Sequence, residues 1–266
     1  MNPPMNPPMT AITDIARFAR LLDDAAVTAT AVPQISRTTD LSLEDAYAVQ
    51  RASVERRLAR GERPIGLKMG FTSRAKAAQM GVFDLIHGRL TDAMLVEDGG
   101  LVAFARYVHP RVEPELAVRL SRPLAGRVGI AEAWAAVEAV APALEIIDSR
   151  YEAFKFSLAD VVADNSSSSG LVLGAWREKP ADVSNLGIVL SFDGQPVQVG
   201  STASVLGNPA RALAAAARML AAAGERLEAG AIVLTGGATA AEALRPGVAV
   251  QADMEGLGRV GFTVAG

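Results

Sequence analysis

Val108-His109-Pro110-Arg111-Val112-Glu113-Pro114-Glu115-Leu116-Ala117-Val118 is the stretch whose reading decides the fold. Its residues alternate as a β-strand does. Val112, Leu116, Val118 and Leu120 fall on one face; Arg111, Glu113, Glu115 and Ala117 fall on the other. Two carboxylates two residues apart on a strand therefore project from the same face. Like charges held that close resist joint ionisation unless a cation lies between them. A hard divalent ion such as Mg²⁺ prefers carboxylate oxygen and keeps its remaining positions for water or substrate. Pro114 cannot donate to a ladder, which suggests an edge strand or a bulge. The alternative is a solvated strand face on which Arg111 and Arg119 pair with the glutamates.

A third carboxylate stands downstream in Ala143-Leu144-Glu145-Ile146-Ile147-Asp148. A glutamate between aliphatic neighbours on a buried strand is costly unless paired or liganded. Glu113, Glu115 and Glu145 are thus a candidate set of ligands for one Mg²⁺ or Mn²⁺.

Composition narrows the alternatives. Half of the 266 residues are hydrophobic, enough to bury a substantial core. Lys+Arg is 26 against Asp+Glu 29, so no basic excess points to nucleic acid. Zero cysteines exclude disulfides, a cysteine nucleophile and thiolate metal sites. Only two histidines, His87 and His109, disfavour a histidine-based zinc centre. The start of the chain lacks a basic segment followed by an apolar run, and the apolar helix near Ala210–Ala223 is broken by Arg211 and Arg218. The expectation is a cytoplasmic protein with no membrane partner.

Around this core the chain reads in order. Met1–Thr10, with four prolines, reads as a disordered lead-in. Ile12–Ala26 is predicted helical, and a second helix opens at Ser42, with Asp45 three residues on, and stops at Gly61. In Ile65–Phe71, Lys68 shares a face with Gly66 and Gly70, which leaves open space around it, as a ligand-facing group needs. The alternative is a surface lysine guarding an edge strand. Thr72–Lys76 is predicted to open a short helix whose free N–H groups, with Arg74 beside them, suit a carboxylate. Ala131–Val140 reads as an apolar helix ended near Pro142. Asp148–Phe156 mixes charges with aromatics, as the wall around an anionic substrate would, or as a loop with a snorkelling Lys155. Ser166–Ser169 lies in a polar loop. Asp193-Gly194 turns a hairpin, and Asn208-Pro209 opens a helix that ends at Gly224. At Thr235-Gly236-Gly237 the backbone can approach a ligand closely. Gly256–Gly261 matches a dinucleotide-binding glycine pattern literally, but no room remains for the helix that motif must open.

The order of these segments resembles the fumarylacetoacetate hydrolase superfamily, in its branch of 2-oxopent-4-enoate hydratases and 2-oxo-3-hexenedioate (4-oxalocrotonate) decarboxylases. Gly66–Lys76, His109–Glu115, Glu145–Arg150, Val162–Asn165 and Thr235–Gly237 carry the resemblance, which spans nearly everything from about residue 12 onward. It implies an α+β fold with a helical N-terminal lobe, read at residues 11–75, on a mixed, mostly antiparallel β-fold at residues 76–266. It further implies Glu113, Glu115 and Glu145 as metal ligands, Lys68 as an active-site lysine, Mg²⁺ or Mn²⁺ as cofactor, and homo-oligomers. Asp148–Glu152, Phe154–Phe156 and Thr235–Ala241 look more like the decarboxylases. The expected reaction is loss of CO₂ from a six-carbon 2-oxo dicarboxylate in aromatic catabolism. Arg74, Arg150 or Lys155 would hold the distal carboxylate, with Thr235 and Gly236 at the substrate. A complex with the hydratase that consumes the product is a further implication. The competing expectations are the hydratase itself, acylpyruvate hydrolysis, and a non-catalytic scaffold subunit.

Overall fold

The computed structural model describes residues 12–73 and 84–266. The lead-in expected at Met1–Thr10, and Arg74 with the short helix expected beyond Ser73, lie outside the described residues.

Helix α1 (Ile12–Thr28) and helix α2 (Leu43–Ala59) come first in the described chain. The Ser42 hydroxyl caps α2 by accepting the Asp45 N–H at 3.0 Å, as the sequence predicts. Next come β1 (Pro64–Gly70), β2 (Ile86–Thr91), β3 (Leu95–Val96), β4 (Leu101–Ala103) and β5 (Arg111–Leu120). The short helix α3 (Ile130–Ala135) leads into β6 (Val137–Ile147). Helix α4 (Leu158–Ala163) precedes β7 (Ser168–Leu173), β8 (Arg177–Glu178), β9 (Gly187–Phe192) and β10 (Gln195–Ser201). Helix α5 (Pro209–Ala222) is followed by β11 (Ile232–Leu234), β12 (Glu242–Ala243), β13 (Ala249–Met254) and β14 (Gly258–Ala265).

These strands make two sheets. The larger runs β2-β1-β11-β5-β6-β7-β3, with β12 also on β5 and β8 also on β6. Its pairs are antiparallel except β1–β11 and β3–β7. The smaller runs β10-β9-β13-β14-β4. Val112, Leu144, Ile146 and Val172 of the large sheet pack with Leu190, Val250, Ala252 and Phe262 of the small one. Ala212, Leu213, Ala216 and Leu220 of α5 pack with Leu67, Leu116 and Val118. Phe18, Leu22 and Val49 of the first two helices pack with Ile86, Val161 and Tyr151. β1 falls inside the span read as the helical lobe, yet it is hydrogen-bonded between β2 and β11 in the large sheet.

Two prolines depart from the sequence reading for one reason. Pro114 sits in the interior of the large sheet, paired with Leu144, and not at an edge. Its carbonyl accepts the Ala238 N–H, so its backbone faces away from β6. There β5 passes from its β12 contact at Val112 to its β11 contact at Ala117, and no ladder N–H is required. Pro142 repeats the arrangement on β6. It lies between the β8 pairing at Val140 and the β7 pairing at Ala143, and its carbonyl accepts from Gly174. The helix predicted at Ala131–Val140 therefore ends at Ala135, and Val137–Ile147 is a single strand carrying Glu145. The Gly256–Gly261 pattern runs into β14, as its rejection as a dinucleotide motif requires.

Candidate metal centre and substrate cavity

Strand register builds the centre. Glu113 of β5 is the direct cross-strand partner of Glu145 of β6, and Glu115 follows two residues along the same face. Directly opposed side chains on one face of an antiparallel pair lie close enough to interact. One carboxylate oxygen from each of Glu113, Glu115 and Glu145 lies within 4.8 Å of the others. Glu115 and Glu145 are fully buried; Glu113 is partly exposed and lines a cavity of about 570 Å³.

Lys68 reaches the same point from β1. Its Nζ is 3.1 Å from Oε1 and 3.2 Å from Oε2 of Glu145, and the Oε2 contact has hydrogen-bond geometry. Burial pushes the Glu145 carboxyl above its ordinary range against the opposing pull of the Lys68 ammonium. Burial, and then the charges of Glu145 and Glu113, push Glu115 well above that range. The solvated-face alternative fails on this burial. Arg119 pairs instead with Glu138 and stacks on Trp176.

The Thr235–Gly237 segment shapes the acids more than the cavity. Thr235 is buried and donates its hydroxyl to the Leu116 carbonyl at 3.0 Å, so it ties the segment to β5. Gly236 donates its N–H to Glu115 Oε2 at 2.7 Å. Its φ of 121° is a region that favours glycine, and a Cβ there would overlap Thr72 Oγ1. A Cβ on Gly237 would stand 2.5 Å from Glu113 Oε2. The glycines thus let backbone press against two of the three carboxylates.

The other buried oxygen of Glu115, Oε1, accepts no hydrogen bond among the described residues. Such an oxygen is costly to bury without a partner. A hard cation among three carboxylates would satisfy it and offset their mutual repulsion. The set contains no sulfur or imidazole, which suits Mg²⁺ or Mn²⁺ rather than a soft metal. The residues therefore fit the ion that the resemblance implies.

Two of the expected substrate contacts are not among the residues that line this cavity. Arg150 does not line it. That side chain is buried, with Nε and Nη2 donating to the carboxylate and backbone carbonyl of Asp164 and Nη1 donating to Ser169. Its guanidinium is consumed in holding the turn after α4, because a buried cation must be paired to be tolerated. Lys155 is exposed and also absent from the lining, although Phe154 and Phe156 on either side are part of it. Thr235 and Gly236 lie behind the lining; Gly237 is in it. Neither histidine lines the cavity. His87 stacks on Tyr47, and the His109 Nε2 is 2.9 Å from the Tyr151 carbonyl.

Sequence reasoning missed two features. Arg111 lines the cavity with its guanidinium 4.7 Å from the centre of the Phe154 ring. Strand alternation had already put it on the face of Glu113, and only its role was misread. Ser166 and Ser167, read as loop, are buried in the wall. Asn165, Ser166 and Ser167 all have positive φ, a conformation no sequence pattern here announces.

The chain belongs to the fumarylacetoacetate hydrolase family: residues 68–265 match the model described as Fumarylacetoacetate (FAA) hydrolase C-terminal. Within that family it is similar to a 4-oxalocrotonate decarboxylase of a Pseudomonas species, with 57% identity over 95% of this chain and 98% of the relative. A 2-hydroxypent-2,4-dienoate hydratase of Pseudomonas putida is 40% identical over 68% of this chain and 83% of the relative. Among solved structures, the 4-oxalocrotonate decarboxylase of Pseudomonas putida G7, complexed with magnesium and adipate, superposes with a TM-score of 0.92. It is 37% identical and covers 97% of this chain and 100% of its own. Among the described residues, no helix is long and apolar enough to cross a membrane.

Proposed function

We propose that this chain catalyses the metal-dependent decarboxylation of 2-oxo-3-hexenedioate (4-oxalocrotonate) to 2-hydroxypenta-2,4-dienoate and CO₂. The observation that carries the reading is the convergence of Glu113, Glu115 and Glu145 with Lys68, beside the cavity that Lys68 and Glu113 line. The 57% identity to a decarboxylase over nearly the whole chain supports the choice of reaction. Glu113, Glu115 and Glu145 would hold Mg²⁺ or Mn²⁺. When bound, the ion supplies Lewis-acid polarisation of a 2-oxo acid.

The chain's own groups do the rest. Cleavage of C5–C6 releases neutral CO₂ and leaves its electron pair on the substrate. The pair spreads through C4 and C3 to the C2 oxygen as a dienolate, and one proton taken up at that oxygen gives the enol product. Lys68, an ammonium in a buried setting beside Glu145, is placed to donate to that oxygen as charge develops there. Phe71, Ile147, Phe154 and Phe156 line the cavity with apolar surface that excludes water from the conjugated carbons.

The second reading is the hydratase, favoured by the 40% identity to an enzyme of that name. Ultraviolet monitoring of the dicarboxylate with Mg²⁺ and with EDTA, coupled to CO₂ detection, separates the two. Conversion of the five-carbon dienoate to 4-hydroxy-2-oxopentanoate, with no CO₂ released from the dicarboxylate, would sink the decarboxylase reading. The same proposal places the protein as a homo-oligomer in the cytoplasm, associated with the hydratase that consumes its unstable enol product.

A further inference from the structure

The cavity has a second cation. Among the described lining residues, Lys68 and Arg111 are the basic ones, and they serve different parts of it. Lys68 is committed to Glu145. Arg111 forms no ion pair among the described residues, and its guanidinium rests on the Phe154 ring. It stands two residues from Glu113 on the same face, a spacing of roughly 6.8 Å along a strand. Opposite it on β6 is Ile147, just as Glu145 is opposite Glu113. The floor therefore carries the Glu113/Glu145 acidic pair and, one step along the same face, the Arg111 guanidinium beside Ile147. A six-carbon diacid, extended with its 2-oxo acid end at the glutamates, has a length of that order.

The seat beneath Arg111 is built with care. Ala153 and Phe154 both hold φ of 56°, a conformation sustained only when the surroundings impose it. The Gln34 side-chain amide donates to the carbonyls of Glu152 and Lys155, at 3.2 and 2.8 Å, and clamps the turn from the segment between α1 and α2. An aromatic face below a guanidinium fixes its plane and leaves its N–H fork for a carboxylate.

We infer that Arg111, seated on Phe154, binds the distal carboxylate and makes the site selective for dicarboxylates over monocarboxylates. The inference rests on the decarboxylase reading for the identity of the diacid. It also fixes how the residue acts. The distal carboxylate loses its charge as CO₂ forms, so the ion pair is stronger before the transition state than in it. Arg111 governs binding and selectivity rather than the bond-breaking step.

The test uses 2-oxoadipate and 2-oxohexanoate, six-carbon acids without the double bond that decarboxylation needs. With Mg²⁺ present, calorimetry on the parent chain is expected to show 2-oxoadipate binding roughly tenfold or more tighter, as a charge-assisted hydrogen-bonded pair provides. Arg111→Met should erase that preference and leave 2-oxohexanoate affinity unchanged. Arg111→Lys should keep part of it, and Phe154→Leu should weaken it. With the reactive dicarboxylate, Arg111→Met should raise KM by a similar factor while kcat stays within about threefold. An Arg111→Met protein that melts like the parent and keeps the dicarboxylate preference overturns the inference, as does a fall in kcat at unchanged KM. The binding ratio needs no turnover, so a parent chain that fails to release CO₂ would defeat the decarboxylase reading and leave Arg111 to be judged by its own result.

Discussion

Lys68 and Glu145 form a buried ion pair in which the ammonium lies 3.1 and 3.2 Å from the two carboxylate oxygens. Removing one partner of such a pair leaves an uncompensated charge, at roughly 3–5 kcal/mol. Lys68→Met is therefore expected to melt below the parent in EDTA. Mg²⁺ should restore more stability to the variant than it adds to the parent, because binding to the folded state stabilises by mass action. Turnover should fall by about a hundredfold or more, the usual worth of a positioned proton donor. Scanning calorimetry with and without Mg²⁺ measures the first effect; equal shifts in both proteins would refute it.

Glu113→Gln and Glu145→Gln each remove one anionic oxygen donor from the cluster. Both are expected to abolish metal-dependent turnover and to leave the fold intact. Circular dichroism, Mg²⁺ calorimetry and the CO₂ assay check this together. Turnover surviving in either variant would show that the ligand assignment is wrong.

Gly237→Ala tests the same centre without touching a charge. Its Cβ would stand 2.5 Å from Glu113 Oε2, so the carboxylate must move. Mg²⁺ affinity should drop by roughly tenfold to a hundredfold, the range seen when groups that orient ligands are disturbed. An unchanged calorimetric titration would show that Glu113 moves away at no cost to the metal.

His87 supplies a pH signature away from the acids. Burial, and then the charges of Arg89 and Arg51, lower its pKa from 6.5 to about 3. Above pH 6.5 the ring is neutral in both the folded and the unfolded chain. Below it, the unfolded chain takes up a proton that the folded chain refuses, so stability is lost as pH falls from 6.5 toward 3. The slope for one proton approaches about 1.4 kcal/mol per pH unit. His87→Phe keeps a ring against Tyr47 and should flatten this part of the urea-midpoint profile relative to the parent. Parallel profiles would mean that His87 titrates normally.

Much of the centre was legible because it follows local rules. A period of two placed Glu113 and Glu115 on one face, and apolar neighbours marked Glu145 as buried. Ser42, Asn208 and Asp193-Gly194 announced their caps and turn through side-chain and backbone chemistry that acts within a few residues. Pro142 misled for the same reason. Its effect depends on whether a partner strand requires its missing N–H, and here β8 and β7 leave that position unclaimed.

The arginines mark the boundary between the two kinds of information. The sequence by itself determined the alternation, the acidic triplet, the lysine between glycines and the family. It could not say that Arg150 is spent on Asp164 or that Arg111 faces the cavity from its seat on Phe154. Periodicity specifies which face a side chain takes; only the packing of distant strands and turns decides how deep it lies and which charge it meets. The tertiary structure made that choice because a guanidinium in the interior must find its partner there, whereas one at a cavity wall can keep its hydrogen bonds for a ligand.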